Sequence, residues 1–252
     1  MNTDKAWEKW GQQDPYYGVL SDPKFRNNNL TTEAKDEFFA AGETDIQQVF
    51  QIIEKFICPN FTPKNALDFG CGTGRLIIPL AKLVPQVVGI DISDAMLHEA
   101  KQNCKARNFK NITLYKSDDK LSALQKYKFD FIHTVIVLQH IHVERVRIIF
   151  EQLLNLLNVG GIGAIQLTYA KTKFNDSYGT MPNTLIKKTR DNFKKFKKSI
   201  KGLFFNQDPE MQMNTHDLND LFFLMQKAGV QNFYTEFTDH GGNLGVFLYF
   251  QK

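Results

Sequence analysis

Asp68, Gly70, Gly72 and Gly74 stand two residues apart in Ala66-Leu-Asp-Phe-Gly-Cys-Gly-Thr-Gly-Arg75. An apolar strand there runs into a turn without Cβ atoms, which lets a ligand approach the backbone and permits φ > 0. Residues 75–83 can open a helix whose N-terminal amides face the same ligand. These parts make a nucleotide-type pocket with a carboxylate at its floor. A dinucleotide turn is spaced G-x-G-x-x-G and needs no such acid. Here Arg75 stands where its third glycine would be, and Asp68 would repel a pyrophosphate while suiting a cationic amino group.

The following run, Val87-Val-Gly-Ile-Asp-Ile-Ser93, is β-branched and apolar and predicts a second parallel strand. Asp91 ends it, seventeen residues beyond Gly74, where an acid in nucleoside-binding α/β folds accepts the ribose hydroxyls. Ser93 is the expected N-cap of the helix opening at Asp94. A third strand, 112–116, leads into Ser117-Asp118-Asp119, and a fourth, 129–135, leads through Val137 to His140 and Ile141. Residues 153–167 predict a helix ending at glycines and then a fifth strand. A helix over 214–227 and two strands, 230–237 and 244–250, close the chain, with Asp239 and His240 in the turn between them.

The D-x-G-x-G-x-G turn, the Asp91-Ile-Ser-Asp-Ala-Met-Leu97 run and the F-D-x-x-x-T stretch leading into L-x-H together resemble class I S-adenosylmethionine-dependent methyltransferases, especially a bacterial set whose substrates are often unassigned. That resemblance implies an α/β, Rossmann-like, seven-stranded, mostly parallel sheet with helices on both faces and a C-terminal antiparallel hairpin. It implies S-adenosylmethionine as cofactor. Asp68, Gly70, Cys71, Gly72, Gly74 and Arg75 would form the glycine-turn part of its site. Asp91 would hold the ribose, Ile92 and Met96 would pack near the adenine, and Asp118 or Asp119 would receive the adenine amino group. His133 and Thr134 would line the methionine end through backbone atoms. Asn158-Val159 replaces the Lys-Pro usual before the glycine pair.

Outside this frame, residues 1–45 interleave Trp7, Trp10, Tyr16 and Tyr17 with polar residues and are expected to form a lid over a domain spanning 46–252. Tyr16 and Tyr17 are pocket candidates, with Tyr17 placed on the cofactor, and the Gly42 backbone, ahead of a helix over 44–56, is another. Anchoring of the N-terminus to the domain is the alternative. His240, oriented by Asp239, is the expected general base, with His140 as the second candidate, because imidazole titrates near working pH.

The segment 168–213 is expected to be a substrate-side insertion. Its 187–201 stretch carries +7 within a chain of net +4, and apolar residues at helical spacing predict an amphipathic helix with a wet basic face. A solvated face is one reading of that helix and contact with an anionic partner or membrane surface another.

No apolar run reaches the ~20 residues of a membrane span, and no signal-peptide core is visible. Three cysteines argue against a disulfide framework, and no Cys/His spacing suits zinc, so no metal is expected. A cytoplasmic protein is expected. Nothing resembles the N/D-P-P-Y/F loop of base amino-methyltransferases or the nucleophilic cysteine of cytosine C5 enzymes, so a small-molecule oxygen or nitrogen is the expected acceptor. A non-catalytic cofactor-binding protein and an NAD(P)-dependent oxidoreductase are the rival readings.

Overall fold

The computed structural model describes residues 3–172 and 208–252. The predicted basic helix at 187–201 lies outside the described residues. Seven strands form one sheet: β1 Asn65–Phe69, β2 Gln86–Asp91, β3 Ile112–Lys116, β4 Phe129–Thr134, β5 Leu157–Lys171, β6 Asn232–Asp239 and β7 Asn243–Gln251. Their order is β3-β2-β1-β4-β5-β7-β6. The first five run parallel, while β7 is antiparallel to both β5 and β6. This is the expected doubly wound sheet with a C-terminal hairpin. Strand order reverses between β1 and β4, and ligands in such sheets gather at the carboxyl ends beside that switch point.

Seven helices surround the sheet among the described residues: α1 Thr3–Gln13, α2 Pro15–Val19, α3 Thr32–Phe56, α4 Ile77–Leu83, α5 Asp94–Ala106, α6 Val143–Leu156 and α7 Leu218–Lys227. Each face has its own apolar cluster. One gathers Leu67, Ile90, Ile132, Ile165 and Leu248 under α6 and α7. The other gathers Phe131, Ile162 and Tyr249 with Phe38, Ile46 and Ile53 of α3. The alternation of these strand residues between clusters is the period-2 consequence of burying both faces.

The division expected at residue 45 falls inside α3, a 25-residue helix capped by Thr31, whose Oγ1 accepts from the Ala34 amide at 3.2 Å. Phe38 and Phe39, on the near side of 45, share one cluster with Ile46 and Ile53 on the far side. Burying an aromatic contributes roughly 1.5–3 kcal/mol, so α3 belongs to the core. Gly42 sits mid-helix rather than ahead of one, and a Cβ there would lie 2.4 Å from the Arg75 carbonyl oxygen. It serves helix-to-turn packing instead of facing the ligand.

Within residues 3–20, α1 and α2 pack against α5. The predicted turn at 14–20 forms the short helix α2, with Pro15 at its first position.

Candidate active site

β1 carries Asp68 to the sheet's carboxyl edge, where the carboxylate is 2 % exposed. Its Oδ1 accepts from His133 Nδ1 of the adjacent strand at 3.2 Å. Its Oδ2 is buried and has no partner among the described residues. A buried, unpaired carboxylate oxygen is costly unless a donor or cation completes it. Asp68 lines a cavity together with Gly70, Cys71, Gly72, Asp91, Ile92 and Met96, so the missing donor belongs in that cavity.

The glycine turn holds φ of +75° at Gly70, +51° at Gly72 and +96° at Gly74. Gly70 and Gly72 border the cavity; Gly74 shapes the turn, where its amide donates to the Cys71 carbonyl at 2.9 Å. Burial, aided by Asp91 and Asp68, pushes the Cys71 thiol well above its ordinary value. Arg75 is buried and ion-paired to Asp45 of α3 at 2.6 Å.

At the tip of β2, Asp91 accepts from the Gly72 amide through Oδ2 and from the Ser93 amide through Oδ1, both at 2.9 Å. Burial raises its pKa to about 6, against the opposing pull of the Ser93 and Gly72 amides, with Asp68 adding to the rise. Two amides therefore aim the carboxylate into the cleft while leaving lone pairs for hydroxyl donors. Ser93 caps α5 as expected, its Oγ accepting from the Met96 amide at 3.1 Å.

The two neighbouring acids after β3 divide their work. Asp118 closes its own turn, accepting from the Lys120 and Ser122 amides at 2.9 and 3.0 Å, and those bonds lower its pKa. Asp119 forms a bidentate pair with Arg145 of α6, whose Nη1 also meets Asp4 of α1 at 2.8 Å. Both acids border the cavity.

Beyond β4 the structure departs from expectation. His133 and Thr134 are fully buried within the sheet, and the cavity is lined one step later by Val135, Ile136 and Val137. Ile136 adopts φ of +56°, a strained conformation for a β-branched residue, and its amide donates to Gln166 Oε1 at 3.0 Å. His140 borders the cavity, 7 % exposed. Burial lowers its pKa. The ring packs against Trp7 of α1 at a centroid distance of 4.9 Å.

Four expected site residues lie elsewhere. Tyr17 stacks under the Arg26 guanidinium at 3.5 Å and is not among the cavity residues, which include its neighbours Gly18 and Val19. Tyr16 is buried against α5, its hydroxyl donating to Glu99 at 2.6 Å. His240 and Asp239 do sit at the carboxyl end of β6, but β6 is the sheet edge, three strands from β4 and so roughly 14 Å away. There Asp239 accepts from the Gly242 amide at 2.6 Å and closes the hairpin. Unexpected contributors are Thr3, Asp4 and Trp7 of the roofing helix and Arg145. Of these, Trp7 belongs to the expected lid segment, and the others left no trace in the sequence.

Residues 66–161 match the family model of the methyltransferase domain. Over that span the chain carries a methyltransferase domain. An uncharacterized protein of Haemophilus influenzae is 30 % identical over 126 residues, which are 46 % of this chain and 50 % of that one. A 23S rRNA (uracil(1939)-C(5))-methyltransferase of a Shewanella species is 38 % identical over 55 residues, 22 % of this chain and 12 % of that enzyme. The chain thus spans half or less of these relatives. Among solved structures, magnesium protoporphyrin IX methyltransferase of Synechocystis with bound SAH has a TM-score of 0.62 at 20 % identity, covering 99 % of this chain and 98 % of that one. The N-methyltransferase NodS of Bradyrhizobium japonicum, with S-adenosylhomocysteine, has 0.58 at 13 % identity, covering 100 % and 99 %. At these identities the likeness is one of fold.

The cofactor of the methyltransferase domain is S-adenosylmethionine. The residues fit it: the unpaired Asp68 oxygen suits an ammonium group, and the amide-anchored Asp91 suits a pair of hydroxyls. Asp91→Ala is expected to weaken S-adenosylmethionine binding by roughly 1.5–3 kcal/mol, about tenfold to a hundredfold. Titration calorimetry measures this, and unchanged affinity would end the ribose assignment. Affinity for the wild type should also fall as pH drops through about 6, where Asp91 takes up its proton.

Proposed function

We propose that this protein is an S-adenosylmethionine-dependent methyltransferase acting on an oxygen or nitrogen nucleophile of a small molecule. The observation that carries the reading is the buried, partnerless Asp68 oxygen on the same cavity as Asp91. A pyrophosphate-binding oxidoreductase would place negative charge beside it. When bound, the cofactor supplies an electrophilic methyl on a sulfonium and leaves as a neutral thioether. The chain's residues have then to align the acceptor, exclude water and take one proton.

Alignment and exclusion fall to the apolar wall of Val19, Leu76, Ile136 and Ile141 and to the roof, where Trp7 lies over the same cavity. The proton falls to His140. Its Nδ1–H donates to the Gln212 carbonyl at 2.7 Å, so its neutral ring presents a lone pair at Nε2. His140 would take up, at Nε2, the proton that a bound acceptor gives up. His140 replaces His240 as the base in this reading because it borders the cavity.

A small acceptor agrees with the names of several similar proteins: an aklanonic acid methyltransferase of Streptomyces, 34 % identical over 74 residues that are 28 % of this chain and 34 % of that enzyme, the porphyrin methyltransferase and the N-methyltransferase. The uracil C5 enzymes match over 12 to 29 % of their own length. In this chain Cys71, the cysteine on the cavity, is a buried neutral thiol in the glycine turn and a poor nucleophile.

Calorimetry with S-adenosylmethionine against NAD tests the cofactor, and transfer of labelled methyl to a panel of small amines, phenols, acids and RNA tests the acceptor. The reading expects binding of the sulfonium cofactor alone and transfer to a small molecule. NAD binding would establish the oxidoreductase, transfer to RNA would overturn the acceptor class, and binding without any transfer would favour a non-catalytic protein.

A further inference from the structure

His140 is held by elements that arrive from opposite ends of the chain. It ends the short 3-10 turn Leu138–His140 after β4. The strap formed by 208–217 clasps that turn. The Asn214 amide donates to the Gln139 carbonyl at 2.6 Å, Asn214 Nδ2 to the Ile141 carbonyl at 3.0 Å, and His216 Nε2 to the Leu138 carbonyl at 3.1 Å. Within the strap, the Gln212 carbonyl receives the His140 Nδ1–H.

α1 reaches both the base and its partner. Thr3 Oγ1 donates to Gln212 Oε1 at 3.2 Å, holding the residue that fixes the ring. One turn on, Trp7 packs against the imidazole itself. α1 is in turn docked by Asp4 on Arg145 and by Glu8, which accepts from Ser93 Oγ at 2.9 Å. At Gly11 a Cβ would lie 2.6 Å from Ser93 Oγ, so the helix rests directly on the start of α5. Roof, cofactor strand and base are thereby one connected set of contacts.

We propose that closure of the N-terminal helix assembles the base: with α1 docked, His140 is locked in its Nδ1–H tautomer with Nε2 free to accept a proton, and with α1 lifted it is not. Thr3 and Trp7 are positioning residues in this scheme, acting through Gln212 and through the ring plane. The proposal rests on the methyltransferase reading for its purpose. A base that forms only under a closed roof withholds methyl transfer until water is excluded, and lids that complete a catalytic set on closing are a common device. An unclamped neutral imidazole exchanges between its two tautomers, and only one of them leaves the lone pair at Nε2. The step conserves protons: the one gained at Nε2 makes an imidazolium whose Nδ1–H still meets the Gln212 carbonyl, and it returns to water when the roof opens.

The test is nitrogen-15 spectroscopy of histidine-labelled, full-length protein, with the His140 signals assigned by their loss in His140→Gln. The wild type is expected to show a protonated, slowly exchanging Nδ1 and an unprotonated Nε2. Thr3→Val/Trp7→Leu is expected to lose the slow Nδ1–H resonance and to give averaged tautomer shifts, while circular dichroism shows the fold retained. Unchanged His140 signals in the folded double variant overturn the coupling. Should that variant fail to fold, Thr3→Val alone decides in the same way, since it removes one hydroxyl and leaves the ring contact. Calorimetry of the wild type with S-adenosylhomocysteine separates the two ideas: absence of binding ends the methyltransferase reading, whereas the tautomer spectra decide the coupling with no cofactor present.

Discussion

His140→Gln is expected to lower kcat by about 10²–10⁴-fold, the range spanned by general acid–base catalysis. The substitution keeps a polar side chain of similar reach but removes the titrating nitrogen. For the wild type, kcat should fall on the acid side as pH drops through the His140 pKa, which burial has moved below the ordinary imidazole value. The sign follows from the role: the base works when neutral, so a lowered pKa extends activity toward acid. That limb should vanish in His140→Gln. His240→Ala is the paired control and should leave the rate unchanged, because His240 lies on the hairpin at the sheet edge. A His140 variant with a wild-type rate and an intact acid limb would remove this residue as the base, and a large loss in His240→Ala would restore the alternative.

Gly70→Ala should be among the most damaging small substitutions in the chain. Its backbone sits at φ +75°, and a Cβ would lie 2.4 Å from Val137 Cγ2, 2.6 Å from Cγ1 and 3.1 Å from Cβ. The left-handed conformation costs an L-residue about 1–2 kcal/mol, and overpacking adds about 1–3 kcal/mol. Val137 cannot rotate clear of all three contacts, because its own Cβ is involved, and it follows the strained Ile136. A loss of about 2–5 kcal/mol corresponds to a fall in Tm of roughly 5–15 °C in a domain of this size. Gly160→Ala gives the contrast. It has φ of +80° but nothing within 4 Å of the added carbon, so it should cost only the backbone part. Thermal melts of the two variants side by side check the argument, and equal shifts would show that crowding at Val137 plays no part.

The strand-end acids were legible because their chemistry depends on local order. Asp68 ends an apolar strand before glycines, and Asp91 ends the next strand before a serine cap. In a parallel sheet both must emerge at the carboxyl edge. Ile92, Met96, Asp118 and Asp119, which the family resemblance implied as cofactor residues, border the same cavity. It misjudged His133 and Thr134 by one or two positions. Pairing with β1 and β5 keeps both within the sheet, and the chain turns toward the ligand only at Val135.

The choice between two histidines could not be made from spacing. His240 and His140 both follow strands that end on the ligand side, and both have polar neighbours. Strand order separates them in space: insertion of β7 between β5 and β6 carries His240 to the sheet edge. Likewise Tyr17 and Trp7 are neighbouring aromatics in one polar segment, and only helix phase shows that Trp7 turns inward while Tyr17 meets Arg26.

From its own order of residues, then, the chain determined one half of the cavity: a strand, a glycine turn, a second strand and the acids at their tips, contacts made within a few tens of residues by local geometry. Tertiary structure alone decided the other half. The roof from residue 3, the turn at 140 and the strap at 212 meet only after the sheet is assembled. The proposed base, the contact that would fix its tautomer and its cover therefore rest on long-range contacts, which no local pattern encodes.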